Sequence, residues 1–265
     1  MMNGDRALRQ HLTDILTAAG IENAALEAQW IAEDYPNAAE AEAIARRRAQ
    51  HEPLQYLLRQ WEFYGLPFKV GKGVLSPRQD TEVLVEAVLD RIKNRHGLRV
   101  MDLCCGSGCI ALALKSQRND LRVCGLERSD DALPYALENA RCLHLEADFR
   151  KGDVLDRETA AQYHDIDIIV CNPPYLTAED MQHLQAEVRY EPESALFGGE
   201  DGLRYYREIT GIWKDALRPD GMLCYEIGIY QGRDVACIMQ AHGFSDIEII
   251  PDFGGIERVV LGYLK

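Results

Sequence analysis

Leu98-Arg99-Val100-Met101-Asp102-Leu103-Cys104-Cys105-Gly106-Ser107-Gly108-Cys109-Ile110-Ala111-Leu112-Ala113-Leu114 changes its period halfway along. Residues 98–103 are a short, nearly continuous apolar run, the pattern of a strand buried on both faces. Residues 109–117 are strong helix formers with apolar residues at helical spacing. A strand that enters a helix through Gly106-Ser107-Gly108 puts a glycine loop at its carboxyl end, where backbone can approach a ligand closely. Gly106, Gly108 and Ala111 fit the G-x-G-x-x-G/A spacing of a nucleotide-binding turn, a spacing that a plain structural turn also satisfies.

The alternation continues downstream. Strands are expected at 122–126, 167–171 and 222–227, helices at 131–141, 203–217 and 234–241, and closing strands at 244–251 and 258–263. This order predicts an α/β fold with a mostly parallel sheet covered by helices on both faces. Upstream, a helix should follow Asp80 and reach about Asn94, and the aromatic stretch 61–70 around Gly65 reads as a β-hairpin. Before it lie three helical patterns. Leu8, Leu12, Ile15, Leu16 and Ala19 share one face, with Gly20 as C-cap; a second helix spans 24–34 and a third 38–50, each ending before a proline. The division is therefore a small helical domain at 1–55, a β-hairpin linker at 56–80 and an α/β domain at 81–265.

The chain has 265 residues and a formal net charge of −14, which disfavours non-specific binding to a phosphate backbone. No apolar run approaches the roughly 20 residues that span a bilayer, and the amino terminus has no basic start followed by an apolar core. A cytoplasmic protein without membrane contact is expected. Most of the eight cysteines sit in apolar runs. Cys104, Cys105 and Cys109 lack the paired spacing of a metal site, so neither a disulfide framework nor a metal is predicted.

Two carboxylates narrow the ligand. Asp102 ends the first strand of the α/β domain, where it would repel a pyrophosphate. It suits S-adenosylmethionine, which has no phosphate and carries a sulfonium and an ammonium group. Glu127 ends the next strand, 19 residues after Gly108, where an acid can accept hydrogen bonds from ribose hydroxyls.

Ile168-Ile169-Val170-Cys171 then runs directly into Asn172-Pro173-Pro174-Tyr175. Two prolines fix φ and remove two donors, so the loop presents rigid carbonyls at the sheet edge. Asn172 adds a side-chain acceptor and Tyr175 a flat aromatic face. Two fixed acceptors and a ring fit an NH2 group on a planar conjugated system. Accepting both N–H hydrogens, at the Asn172 oxygen and the Pro173 carbonyl, stabilises the charge that grows on nitrogen as it attacks a methyl group. No dedicated general base is needed. The tetrapeptide alone does not separate an amide from a nucleic-acid base.

The order Asp-Leu-x-x-Gly-Ser-Gly, a ribose acid, then Asn-Pro-Pro-Tyr resembles the amino-group methyltransferases. Glu52 to Tyr56, Glu62 to Leu66, Pro77-Arg78-Gln79-Asp80-Thr81-Glu82, Tyr190-Glu191-Pro192, Gly198 to Leu203 and Glu257 to Gly262 resemble, in consistent order, the peptide chain release factor N5-glutamine methyltransferases (HemK/PrmC family). The resemblance covers residues 50–265. It implies a Rossmann-like sheet of seven strands with the last antiparallel, and S-adenosylmethionine as cofactor with S-adenosylhomocysteine as product. Cys104, Cys105, Gly106, Ser107, Gly108, Glu127, Asp153, Val154 and Asn172 would line the cofactor site. Asn172, Pro173, Pro174 and Tyr175 would hold the glutamine of the Gly-Gly-Gln loop of a release factor, which the helical domain helps to grip. The chain departs from the family pattern at Cys104, where a glycine is usual, at Ser76 and Gln79, and in the longer reach of Glu127. The competing readings are a nucleic-acid base methyltransferase (adenine N6 or guanine N2), which the acidic balance opposes, and a nucleotide-binding oxidoreductase.

Overall fold

The computed structural model describes residues 2–265. Helix α1 (Met2–Ala18) stacks Leu12 and Leu16 one turn apart into a buried seam. It ends at Gly20 (φ +78°), with the Gly20 amide bonded to the Thr17 carbonyl (3.0 Å) and the Ile21 amide to Leu16 (3.1 Å). That pair is a Schellman cap, which requires the left-handed residue glycine supplies. Helix α2 (Ala24–Asp34) and helix α3 (Ala38–Arg48) pack against α1. The Asn37 side chain caps α3 by accepting the Ala39 and Glu40 amides at 3.0 and 3.2 Å. A short α4 (Leu54–Leu58) follows Pro53 and buries Leu54 and Leu57 in the same cluster; its single turn is too brief to show a period in sequence.

Strands β1 (Gln60–Phe63) and β2 (Leu66–Lys69) form the expected hairpin. Its two-residue turn, Tyr64-Gly65, has positive φ at both positions, the geometry that matches strand twist. A 3-10 turn at Gln79–Thr81 leads into α5 (Glu82–Arg91), three residues shorter than the apolar pattern suggested.

The α/β region then runs β3 (Arg99–Leu103), α6 (Cys109–Gln117), β4 (Arg122–Glu127), α7 (Leu133–Leu143), β5 (Asp148–Lys151), α8 (Arg157–Ala160), β6 (Ile166–Cys171), α9 (Ala178–Gln182), α10 (Arg204–Trp213), β7 (Leu217–Glu226), α11 (Gly232–Ala241), β8 (Phe244–Pro251) and β9 (Glu257–Leu264). The seven-stranded order is β5-β4-β3-β6-β7-β9-β8; β9 runs antiparallel to both neighbours and the remaining pairs are parallel. The expected α/β class and the antiparallel last strand are both present. Other elements also differ from the sequence reading, the short helices α8 and α9 among them. β5 escaped it because its four residues, Asp148-Phe149-Arg150-Lys151, are charged but for one. The helix expected over 203–217 stops at Trp213, a 3-10 turn follows, and Leu217 already belongs to a strand that pairs with Ile166.

The side chains of β3, β6 and β7 alternate between two cores. Val100, Ile168, Val170, Met222 and Cys224 pack with α5 and α6. Met101, Leu103, Ile169, Cys171, Leu223 and Tyr225 pack with α10 and α11 around the fully buried Trp213, whose Nε1 donates to the Val154 carbonyl (2.8 Å).

The buried Arg48 pairs within the helical segment and also reaches across to the α/β region. Arg48 reaches both carboxylate oxygens of Glu27 (2.6 and 3.2 Å) and, with its other nitrogen, Glu187 (3.0 Å). Removing one member of such a pair leaves the other charge buried and uncompensated. Arg48→Ala should therefore destabilise the protein by about 3 kcal/mol and speed proteolysis within residues 2–50, as read by urea unfolding and limited digestion. An unchanged urea midpoint would contradict this.

Candidate cofactor and acceptor site

β4 and β5 lie on one side of β3, while β6 and β7 lie on the other. Their connections diverge at the β3–β6 seam, and such a switch point opens a crevice at the carboxyl ends of the strands. Leu103 pairs with Cys171 across the seam, so the two loops that follow emerge side by side. On the β3 side, Cys104 has φ +62°, the left-handed region. The geometry explains why glycine is usual there: a side chain in that conformation costs roughly 1–2 kcal/mol. Gly108 (φ +77°) has a second constraint, since a Cβ would lie 2.7 Å from the Phe149 ring.

A cavity of ≈ 210 Å³ fills the crevice. Of the residues expected at the cofactor site, Cys104, Cys105, Gly106, Ser107, Glu127, Asp153, Val154 and Asn172 line it. Glu127 accepts the Gly106 amide (2.9 Å) with one oxygen and the Ser129 amide (2.7 Å) with the other. A carboxylate has about four acceptor positions, so capacity remains for ribose hydroxyls. The Asp153 side chain accepts the Leu155 amide (2.9 Å) and pairs with Arg128 (3.6 Å). The cavity's two cationic side chains, Arg128 and Arg78, are thus engaged by Asp153 and Glu191. Apolar walls, a carboxylate and no uncommitted cation suit a nucleoside with a positive sulfur far better than a pyrophosphate.

Of the expected cofactor residues, Asp102 and Gly108 do not line the cavity. Asp102 is fully buried beneath the loop, where one oxygen accepts the Ala111 amide (3.1 Å) and the other has no partner among the described residues. Burial, with a smaller contribution from Glu127, pushes its carboxyl up to about 8. It braces the start of α6 instead of offering a charge to a ligand.

On the β6 side, Asn172 and Pro174 line the cavity while Pro173 and Tyr175 stand outside it. The loop is held by close backbone contact. A Cβ on Gly198 would fall 2.7 Å from both the Pro174 oxygen and the Tyr175 Cα, and one on Gly202 would fall 2.3 Å from the Tyr175 oxygen. The Leu176 amide bonds to Leu196 (2.8 Å), the Gly198 amide to Leu176 (2.8 Å), and Gln231 Nε2 donates to the Tyr175 carbonyl (3.0 Å). The Gly198 to Leu203 segment is therefore the cradle of the Asn-Pro-Pro-Tyr loop. The Tyr175 hydroxyl is pushed well above its ordinary range, chiefly by burial.

Several cavity residues were not anticipated. Val74 to Arg78 come from the linker, Thr81 from the 3-10 turn before α5, Pro192, Ser194 and Ala195 from beyond α9, and Tyr205 from α10. Glu191 ties two of these walls together: its buried carboxyl holds the Arg78 guanidinium and accepts the Ser76 amide (3.2 Å), while burial pushes it up. Glu226, the last residue of β7, is also buried, and desolvation raises it to about 7 against the opposing influence of Thr81 and Asn172. Its signal in the sequence was available, as the acid that interrupts the apolar run 222–227.

Known proteins resemble this chain in sequence and fold. The methyltransferase small domain family matches residues 67–190. A release factor glutamine methyltransferase of Geobacter sulfurreducens is 40% identical over 266 residues, covering 93% of this chain and 92% of its own length. One from Clostridium acetobutylicum is 41% identical over 217 residues, 81% of this chain and 76% of its own. The solved catalytic domain of hMettl16, bound to a MAT2A 3′UTR hairpin, superposes with a TM-score of 0.62 at 16% identity, over 84% of this chain and 82% of that one; this is likeness of fold alone.

If Glu127 holds the ribose, Glu127→Ala should weaken S-adenosylmethionine binding by roughly 10- to 150-fold, the loss of about 1.5–3 kcal/mol of charge-assisted hydrogen bonding. Glu127→Asp should fall between. Calorimetric titration decides, and an unchanged affinity would remove Glu127 from the cofactor site.

Proposed function

The chain belongs to the release factor glutamine methyltransferases, and on that premise we propose that it moves a methyl group from S-adenosylmethionine to the side-chain amide nitrogen of the glutamine in the Gly-Gly-Gln motif of a peptide chain release factor. One observation carries the reading: the glycine loop after β3 and Asn172 after β6 open into one cavity. A donor held by the first loop and an amide held by the second would then meet at the seam.

The donor, when bound, supplies an electrophilic methyl carbon on a positively charged sulfur. The roles left to the protein are binding, orientation and charge stabilisation. Glu127 accepts the ribose hydroxyls, Asp153 and Val154 flank the adenine, and Cys104 to Ser107 bring backbone against the methionine end. The glutamine amide approaches from the side of the seam that Pro173 and Tyr175 occupy, outside the cofactor cavity. Its two N–H groups donate to the Asn172 Oδ1 and the Pro173 carbonyl. An amide nitrogen is a poor nucleophile because its lone pair is delocalised. As the nitrogen–carbon bond forms and the carbon–sulfur bond breaks, positive charge grows on nitrogen, and the two acceptors stabilise it. They also aim the nitrogen in line with the departing sulfur. The excess proton then leaves nitrogen for water, so no side chain is required as a base. The products are the N5-methylated glutamine and S-adenosylhomocysteine.

In this reading residues 1–55 grip the release factor, 56–80 form the linker and 81–265 perform the transfer. The protein acts in the cytoplasm, where release factors work. No helix among the described residues is long and apolar enough to cross a membrane.

Incubation with labelled S-adenosylmethionine and a release factor should label the factor on its Gly-Gly-Gln glutamine. Failure to label it, or equal labelling of a Gln→Ala factor, overturns the substrate assignment. Asn172→Ala should abolish turnover while leaving most of the cofactor affinity. Parallel loss of both would mean that Asn172 serves the cofactor more than the acceptor.

A further inference from the structure

Asn172 can hold the acceptor amide only if its carboxamide points the right way. The oxygen end must face the glutamine, and the NH2 end must be occupied elsewhere. In the structure Asn172 Nδ2 donates to the Thr81 hydroxyl (3.4 Å). Thr81 is buried at the end of the 3-10 turn before α5. A hydroxyl has one hydrogen to give and two lone pairs, so it supports this arrangement firmly only when its own hydrogen is committed to another acceptor.

Glu226 is placed to be that acceptor. Cys171 pairs with Tyr225, so the next residues, Asn172 and Glu226, stand side by side at the carboxyl edge of the sheet. The Glu226 carbonyl accepts the Tyr206 hydroxyl (3.1 Å), which fixes the strand end. The side chain is 3% exposed, and its Oε2 has no partner among the described residues. The nearby Thr81 hydroxyl and Asn172 carboxamide favour its charged form. A buried carboxyl with an unused oxygen is costly, and nothing in the packing of β7 requires one.

We propose that Glu226 is a positioning residue for methyl transfer, which polarises Thr81 so that Asn172 keeps its NH2 turned away from the acceptor and its oxygen turned toward it. The proposal rests on the reading of Asn172 as the group that holds the glutamine amide. An ionised carboxylate accepts hydrogen bonds and donates none. It takes the Thr81 hydrogen, Thr81 must then accept from Asn172 Nδ2, and Oδ1 is left for the substrate. A protonated Glu226 can donate to Thr81 instead. The Thr81 hydrogen is then free to bond Asn172 Oδ1, and the carboxamide loses its bias.

The charges around Glu226 come from several elements. Asp80, beside Thr81, disfavours its ionisation, and Arg258 on β9 favours it. Arg258 is itself shared between Asp80 (2.8 Å) and Asp252 (3.0 Å). Tyr175 after β6, Cys171 at the end of β6, Cys109 at the start of α6 and Tyr206 on α10 also feel the Glu226 charge, and burial holds all four neutral near pH 7. Glu226 is raised to about 7, so turnover should rise with pH through that region as the carboxylate forms.

The test uses the full-length protein, a release factor and labelled S-adenosylmethionine, with S-adenosylhomocysteine as the binding probe. Glu226→Gln should lower kcat about 10- to 100-fold, change S-adenosylhomocysteine affinity by less than about 3-fold, and remove the inflection near 7 from the kcat–pH profile. Thr81→Val should lower kcat similarly, and Thr81→Ser, which keeps the hydroxyl, should recover most of it; this pair carries the test should Glu226→Gln fold poorly. Wild-type kcat and an unchanged pH profile in Glu226→Gln would overturn the proposal. So would loss of cofactor affinity in step with kcat, or Thr81→Ser behaving like Thr81→Val. An unlabelled release factor with the wild-type protein overturns the acceptor assignment itself, whereas a labelled factor with unaffected variants overturns only the role of Glu226.

Discussion

The pairing of Leu103 with Cys171 is the contact on which the site depends. Parallel neighbours end at the same edge of a sheet, so two loops far apart in sequence start within one strand spacing, ≈ 4.8 Å, of each other. Neither loop could meet the other if β3 and β6 were separated by another strand. The right-handed crossovers that carry the chain outward on both sides of the seam also leave the crevice uncovered by helices. The floor is rigid because β6 is buried at all six positions and fixed at its amino end by Asp167, which accepts the Arg99 amide (2.8 Å) and pairs with Arg218 (2.5 Å).

Buried acids recur around this floor, and each carries out a different task. Asp102 braces the entry to α6, Glu191 holds the linker against the segment beyond α9, and Glu226 closes the end of β7. Removing a carboxylate from water is costly, and a folded chain retains such groups where a hydrogen-bond pattern needs them. Of these three, Glu191 is held directly by a cation, Arg78. The other two are raised toward neutrality by desolvation, which turns them into groups whose donor or acceptor character depends on protonation.

Much of this was legible in the sequence, for reasons that differ element by element. The loop at 104–108 and the tetrapeptide at 172–175 could be read because glycine and proline impose backbone geometry locally. The buried strands β3 and β6 could be read from their continuous apolar runs. β5 could not, since its four residues are charged but for Phe149 and include no β-branched residue. The burial of Asp102, which pushes its carboxyl up, could not be read from residue type, because only the packing reveals it. Glu191 and Arg78 lie 113 positions apart, and nothing in either segment alone announces the other. The Gly198 to Leu203 segment was recognised as a pattern, but its reason, two glycines pressed against the backbone of Pro174 and Tyr175, is a tertiary contact.

The stretch 187–195 links the parts of the molecule that substrate recognition and chemistry would otherwise keep separate. Glu187 receives Arg48 of α3 (3.0 Å), and the Tyr190 hydroxyl donates to the Gln50 carbonyl (3.0 Å), so the helical segment rests on it. One residue on, Glu191 grips the linker through Arg78 and Ser76. Pro192, Ser194 and Ala195 then form cavity wall, and Leu196 and Phe197 pair with the backbone that continues from Tyr175. A displacement of the helical segment cannot be absorbed by a flexible joint, because the same short segment is bonded on both sides. In the proposed function, what the helices grip is thereby registered against the Asn172–Tyr175 loop, where in-line transfer requires the amide nitrogen to be placed within a few tenths of an ångström.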